Sequence, residues 1–422
     1  MTAVALPRFI RIRQKFPSPV PFDIVGTLRR EFDRVRPRVK PGARIAVAAG
    51  SRGIANLDRL IGAVVEELRG FGAAPFIVPA MGSHGGATPE GQMQLLAEYG
   101  VTEERMGAPI RAAMDTTRLG VTEDGVDVLW STEAFRSDGV VVVNRVKPHT
   151  DFYSESLGSG LLKMMVVGLG KQAGAASFHA SALRHGYERM LTTSAKVALA
   201  KAPVLCGVAV VENHFHDTAR LAVLLPDEIE SREPELFRVA RQLMPRLPFD
   251  DIDLLIVDRL GKNISGSGMD PNVTGRGIHG YSASLGEPAT KPMVRRLFVR
   301  DLTPESHGNA VGLGLADFAT TRLVRAMDER VTFMNALTAL SLQSVKVPIH
   351  FESDRECVMH ALQSLALPDT RRAKVARITD TLSLERLQAS EAYSEEIGNR
   401  VDLEIEGKFE EIRFDDVGNL PG

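Results

Sequence analysis

Cysteine is scarce. The chain holds two, Cys206 and Cys357, far apart and outside any CxxC pair. That excludes a disulfide framework and a structural zinc site of the usual spacing, and leaves two buried thiols in a reducing compartment as the plain expectation. Net charge is also missing: 51 Lys and Arg stand against 53 Asp and Glu, a balance of -2. A nucleic-acid binder would show an electrostatic footprint that this chain lacks, although a small basic patch for one anionic ligand remains open. No apolar run approaches the ~20 residues of a membrane helix. The most apolar stretch, LLKMMVVGLG, is short and contains Lys163. The start, MTAVALPRFIRIRQKF, lacks the apolar core and cleavage site of a signal peptide. The expectation is therefore a cytoplasmic protein that binds neither nucleic acid nor membrane. Repeats and low-complexity tracts are absent too.

What the chain does have is 44% hydrophobic and 25% charged residues over 422 positions, ordinary for a globular protein and too long for one core. RIAVAAG (44–50) is a continuous apolar run ending in glycine, and NLDRLIGAVVEELRGFG (56–72) follows with helical spacing. APFIVPAMGSHGG (74–86) repeats the strand pattern. TPEGQMQLLAEYG (88–100) begins like a helix, with Thr88 as cap and Pro89 and Glu90 in the first turn. GVVVVNRV (139–146), ERMLTTSAKVALA (188–200), VLCGVAVVEN (204–213) and EPELFRVARQLM (233–244) continue the alternation. Strand and helix in turn predict βαβ units and a mainly parallel sheet. RLPFDD (246–251) reads as a linker, and IDLLIVDRLG (252–261) opens a second series that includes a helix over 353–365. The predicted fold is α/β with two domains, each a mainly parallel sheet flanked by helices, and an active site in the cleft between them. Residues 1–250 form the first domain, with the tail 405–422 able to pack back on it. Residues 251–404 form the second, which closes the cleft.

Open parallel sheets bind ligands at the carboxyl ends of their strands. Five predicted strand ends offer basic or proton-transferring side chains among small residues: Ser51 and Arg52; Ser83 and His84; Lys147 and His149; His214, His216 and Asp217; and Lys262 after Gly261. Their convergence on one rim would make an anion-binding pocket. His84 lies between glycines, and Pro148 aims His149. A cation at Arg52, near a helix start, opposes the helix dipole and so hints at an anionic partner. His214 and His216 would share one face of a strand and, with Asp217, could ligate a metal or simply form a polar strand end. His179 sits in a predicted helix, AGAASFHASALRHG, where a core or surface histidine is the ordinary reading. Lys163 in apolar company is costly unless paired or modified, and a desolvated amine is the kind that forms covalent adducts. GLGLA (312–316) lacks the preceding strand of a dinucleotide fingerprint, and GLGK (168–171) lacks the rest of a phosphate loop. KNISGSGMDPNVTGRG (262–277) predicts a long loop wrapped around a ligand.

The arginine of AAGSRG, the histidine of MGSHGG, the VKPH and SGLLK segments and the histidine of SFHA occur in an order that resembles the nickel-dependent lactate racemase family and its 2-hydroxyacid relatives, over roughly residues 40–185. The resemblance implies an isomerase, a racemase or epimerase of a small-molecule 2-hydroxy acid. It implies His84 and His149 as alternating acid and base. Lys163 would tether a nickel-pincer nucleotide (a pyridinium thioamide/thiocarboxylate mononucleotide with Ni), with Ser159, Gly160 and Ser51 also cofactor-binding. His179 would ligate the nickel, and Arg52 and Lys262 would hold the substrate. Cofactor-synthesis enzymes of the host would be partners, and a homo-oligomer is compatible with the pattern. There are departures: no acid precedes Arg52, glycine follows His84 where the family has arginine, and the His149–Lys163 gap is longer. They point to a branch acting on another hydroxy acid. The rival expectations are a zinc hydrolase built on His214, His216 and Asp217, a cofactor-less relative that only binds a sugar acid or nucleotide, and a nicotinamide-dependent oxidoreductase using GLGLA.

Overall fold

A computed structural model describes residues 4–18, 20–50, 53–150, 152–277 and 292–421. It divides into two compact units: a middle unit, Pro19–Met244, and a terminal unit made of Met1–Ser18 together with Pro245–Gly422.

The middle unit carries a five-stranded sheet in the order Ala74–Pro79, Arg44–Ala49, Gly139–Arg145, Val204–Glu212, Thr218–Leu224. The first four strands run parallel and the last is antiparallel. Val140 to Val143 are wholly buried, which is why their strand reads as an unbroken apolar run. One face packs on helices Ile24–Phe32 and Leu57–Gly70, through Leu28, Phe32, Leu60, Ile61, Val64 and Leu68. Helix Pro226–Leu243 packs against the Val204–Glu212 strand. The Pro89–Glu98 helix starts as its sequence predicts, with the Thr88 hydroxyl accepting the Gly91 N–H at 3.1 Å. A hairpin, Thr116–Val121 with Asp127–Ser131, stands apart from the main sheet.

The terminal unit carries an eight-stranded mixed sheet. Its order is Ile349–Phe351, Phe318–Thr320, Met293–Leu302, Asp251–Leu260, Val375–Ile378, Arg386–Ser390, Arg8–Gln14, Leu403–Glu411. The first five are parallel and the rest antiparallel. Helix Asp354–Gln363 covers one face through Cys357, Val358, Ala361 and Leu362.

One expectation about organisation is corrected. Residues 8–14 are a strand of the terminal unit's sheet, and so is Leu403–Glu411, where the tail begins. Arg8–Gln14 lies between Arg386–Ser390 and Leu403–Glu411 in the terminal unit. The cause is visible in the register. Arg8, Arg11 and Arg13 stand opposite Glu411, Glu406 and Glu404, while Ile10 and Ile12 turn inward. Opposite charges on one face and buried β-branched residues on the other fix that pairing.

Candidate functional site

Four of the five strand ends singled out in the sequence do lie along one edge of the middle unit's parallel sheet. The fifth, after Asp251–Leu260, belongs to the other sheet. Of the first loop, Ser51 and Arg52 fall outside the described residues. Its flanks are held. The Gly53 carbonyl accepts Arg145 Nη1 at 3.4 Å, and the Ala55 N–H donates to Glu212 Oε1 at 2.8 Å. Arg145 and Glu212 form an ion pair. Gly50 packs under the end of the Met164 side chain, next to Lys163 in the chain, with the place of a Cβ 2.6 Å from Met164 Cε.

The His84 loop turns back tightly on the Pro89–Glu98 helix. Gly85 has φ 65°, and a Cβ on it would meet the Gly91 backbone at 2.5 Å, so only glycine fits. The loop is braced from beneath by a pair of residues that sequence reasoning passed over. Buried Gln92 donates to the carbonyls of Gly82 (2.9 Å) and His84 (3.3 Å). Its own oxygen accepts Lys171 Nζ at 3.2 Å, and Lys171 also donates to the Pro79 carbonyl at 2.6 Å. Lys171 has no exposed surface, and burial pushes its ammonium down to about 8. It also holds a left-handed backbone, φ 54°, which is unusual for a lysine and typical of constrained sites. The signal available in the sequence was the lysine of GLGK in apolar surroundings, which no phosphate loop explained.

The segment from Lys147 to Lys163 carries the centre of the site. Lys147 and Ser159 exchange two backbone hydrogen bonds, each 2.8 Å, and close the intervening chain into a loop. Inside it the His149 ring is 5% exposed. Phe152 and Tyr187 lie against that ring at 4.9 and 4.8 Å between centroids, and stack on each other at 4.1 Å. His149 Nε2 is 2.8 Å from Lys163 Nζ and 3.2 Å from the Tyr187 hydroxyl. An ammonium can only donate, so beside a protonated Lys163 Nε2 is the acceptor and the ring proton belongs on Nδ1, while the Tyr187 hydroxyl can serve either role. The contact between His149 and Lys163 links both ends of the stretch that the sequence had marked.

Lys163 ends a short helical turn, Leu161–Lys163, that continues into a π-helical segment, Met164–Gly168. Such wide turns leave backbone groups without their regular partners and recur at functional sites. Here neighbours take them up. Trp130 Nε1 donates to the Met165 carbonyl at 2.6 Å, Ser131 N to Leu169 at 2.6 Å, and Gly82 N to Gly168 at 3.0 Å. The last bond rests the His84 loop on the turn that begins at Lys163. At the other end, the Glu233 carboxylate accepts the Leu162 N–H at 3.1 Å and a hydrogen bond from Leu161, and Asn144 Nδ2 donates to the Gly160 carbonyl at 2.7 Å. Glu233 is buried, and desolvation raises its carboxyl to about 7. A Cβ on Gly160 would lie 2.0 Å from Glu233 Oε1, so that face of Gly160 is filled by a carboxylate.

His179 lies in helix Lys171–His185, as expected, with its ring 6.4 Å from that of Tyr187. Tyr187, which sequence reading did not single out, thus lies against His149 on one side and near His179 on another. The histidines of HFHD are not on a strand, contrary to expectation. They belong to a tight connection between Val204–Glu212 and Thr218–Leu224, where Asn213 Oδ1 accepts the N–H groups of Phe215 (2.9 Å) and Asp217 (3.1 Å) and His216 has φ 61°. Among the described residues, no three His, Cys, Asp or Glu side chains gather as a metal cluster. Burial, with His216 nearby, lowers the His214 imidazole.

In the terminal unit, Lys262 Nζ donates to the Gly266 carbonyl at 2.5 Å. Its segment is compact over 261–277, with Ser265, Ser267, Asp270 and Thr274 buried and Asp270 capping a turn at Pro271–Thr274. The segment expected to wrap around a ligand is thus bonded internally over its described residues. GLGLA forms a 3-10 turn, Leu313–Leu315. No helix among the described residues is long and apolar enough to cross a membrane.

Residues 31–190 match the family described as lactate racemase N-terminal domain. The structure of the lactate racemase apoprotein from Thermoanaerobacterium thermosaccharolyticum superimposes with a TM-score of 0.52 at 14% identity, covering 89% of this chain and 99% of that one. At that identity the likeness is one of fold. No curated protein matches by sequence. The domain match lies over the His84, His149 and Lys163 loops, and the two-sheet α/β fold is shared with that apoprotein, so the chain is similar to lactate racemase in its first part by sequence and throughout by fold.

Proposed function

We propose that the protein is an isomerase, a racemase or epimerase of a 2-hydroxy acid, that uses a nickel-pincer nucleotide held covalently by Lys163. The observation that carries the reading is the 2.8 Å contact of Lys163 Nζ with His149 Nε2, in a turn on which the His84 loop also rests. The donor set suits the group. Lys163 offers an amine for a covalent link, on a turn clamped by Glu233 and Asn144. His179 offers an imidazole for nickel, and Tyr187 lies close to both histidine rings. Once bound, the group would accept the carbon-bound hydrogen of the substrate with its electron pair and return it to either face.

The protein's own share is proton handling and orientation. Inversion at one carbon needs a base on each face, and His149 and His84 fill those roles for the hydroxyl proton. Imidazole titrates near neutrality, so each ring can both take and return it. The aromatic packing around His149 holds its ring in one orientation. Gln92 and Lys171 hold the His84 backbone. Arg52 would bind the carboxylate with its paired donors, and Ser51, Ser159 and Gly160 would contact the nucleotide.

The test is co-expression with the pincer-synthesis enzymes and nickel, followed by intact mass, metal content and chiral analysis of a panel of 2-hydroxy acids. A mass adduct on Lys163 with nickel, lost in Lys163→Ala, is the expected result. His84→Gln should keep the adduct and lose turnover by roughly 10²- to 10⁴-fold. An unmodified Lys163 under those conditions overturns the reading.

A further inference from the structure

We propose that His149 has an earlier task as well: it is the base that turns Lys163 into an acyl acceptor. The idea rests on the reading of Lys163 as the covalent anchor, but its chemistry belongs to these two side chains. Lys163 Nζ and the Tyr187 hydroxyl lie 2.8 and 3.2 Å from Nε2, so this ring nitrogen stands within proton-transfer reach of the amine. The ring is held by Phe152 and Tyr187, and the turn carrying Lys163 by Glu233 and Asn144. Nucleophile and base within hydrogen-bond reach, the base oriented by a third group, is the arrangement of an activated nucleophile.

The step balances without oxidant or reductant. The unprotonated amine of Lys163 forms an N–C bond to the carbon of an activated acyl donor. The bond from that carbon to its leaving group breaks, and the leaving group departs with the electron pair. The surplus proton on nitrogen passes to His149 Nε2 and from there to solvent. The product is an amide-type link on Lys163, and His149 is returned to its starting state for its role in turnover.

The test uses the purified chain and a simple acyl donor, the N-hydroxysuccinimide ester of acetic acid, at neutral pH, with peptide mass mapping. Lys40 and Lys201, both exposed, serve as internal references. Lys163 should acetylate faster than the references by roughly ten- to a hundredfold, toward the lower end of general-base acceleration. His149→Gln should bring it to parity while helix content by circular dichroism stays unchanged. In His149→Ala, added imidazole should raise labelling of Lys163 above that of Lys40 and Lys201, which loss of packing alone would not produce. Labelling of Lys163 at or below the reference rate, an undiminished rate in His149→Gln, or an equal imidazole effect on all three lysines overturns the proposal. No cofactor or turnover enters the assay, so its failure leaves the racemase reading standing, and failure of that reading leaves this result intact.

Discussion

Apart from the Arg145–Glu212 pair of the middle unit, charge is handled differently at the strand ends of the two units. In the terminal unit, Arg300 and Arg377 both pair with Asp258, and Arg300 and Arg322 both pair with Asp354. The chain end closes over this network, with the Leu420 N–H donating to Asp354 and the Leu420 and Pro421 carbonyls accepting from Arg300 and Arg377. In the middle unit, Lys163 meets an imidazole, Lys171 meets a carbonyl and an amide, and Glu233 meets backbone N–H groups. Networks of opposite charges fix a structure, whereas groups set beside neutral partners keep a proton to exchange. The first edge is scaffold and the second is where we place the chemistry.

The comparison can be broken at its strongest point first. Asp354 is fully buried and serves two arginines, so Asp354→Ala should cost about 3–5 kcal/mol, the penalty for stranding buried charge. Chemical denaturation measures it, and a loss below about 1 kcal/mol, the value of an exposed pair, would remove the distinction between the two edges.

A second test concerns Glu233. Its carboxyl is raised from 4.5 to about 7, so the folded chain keeps a proton that the unfolded chain has already lost. Stability from this group is therefore greatest below pH 4.5 and declines as pH rises through 7, by on the order of 3 kcal/mol. Glu233→Gln should flatten that slope in urea unfolding between pH 4.5 and 8, and parallel profiles for the two proteins would sink the assignment.

The smallest effect sharpens the site itself. Tyr187→Phe removes one hydrogen bond to His149 and keeps the ring packing, so it should cost about 1 kcal/mol. A much larger loss would mean that the hydroxyl bears on more than His149.

How much of this was legible in the sequence follows from range. The Arg44–Ala49 and Gly139–Arg145 strands, the Thr88 cap and the Lys171–His185 helix are specified by neighbours a few positions apart, and all appear where the residues predict. The histidine, lysine and glycine markers of the candidate site stood out in the sequence because each is unusual in its setting. HFHD misled because two residues of alternation look like a strand, whereas Asn213 bonds the local backbone and bends it into a turn.

By itself the sequence determined an α/β protein with a parallel sheet and the loops that carry His84, His149 and Lys163, since apolar periodicity, caps and glycines act within a few residues of chain. Only the tertiary structure decided that Arg8–Gln14 joins the terminal sheet, that Glu233 lies beneath Gly160, that Lys171 braces the His84 loop through Gln92, and that His149 touches Lys163. Those contacts join positions from 8 to several hundred residues apart, and nothing in local pattern encodes which distant partner a buried charge will find. The cost of leaving such a charge alone in the interior makes a partner necessary, and the packing of the whole chain selects it.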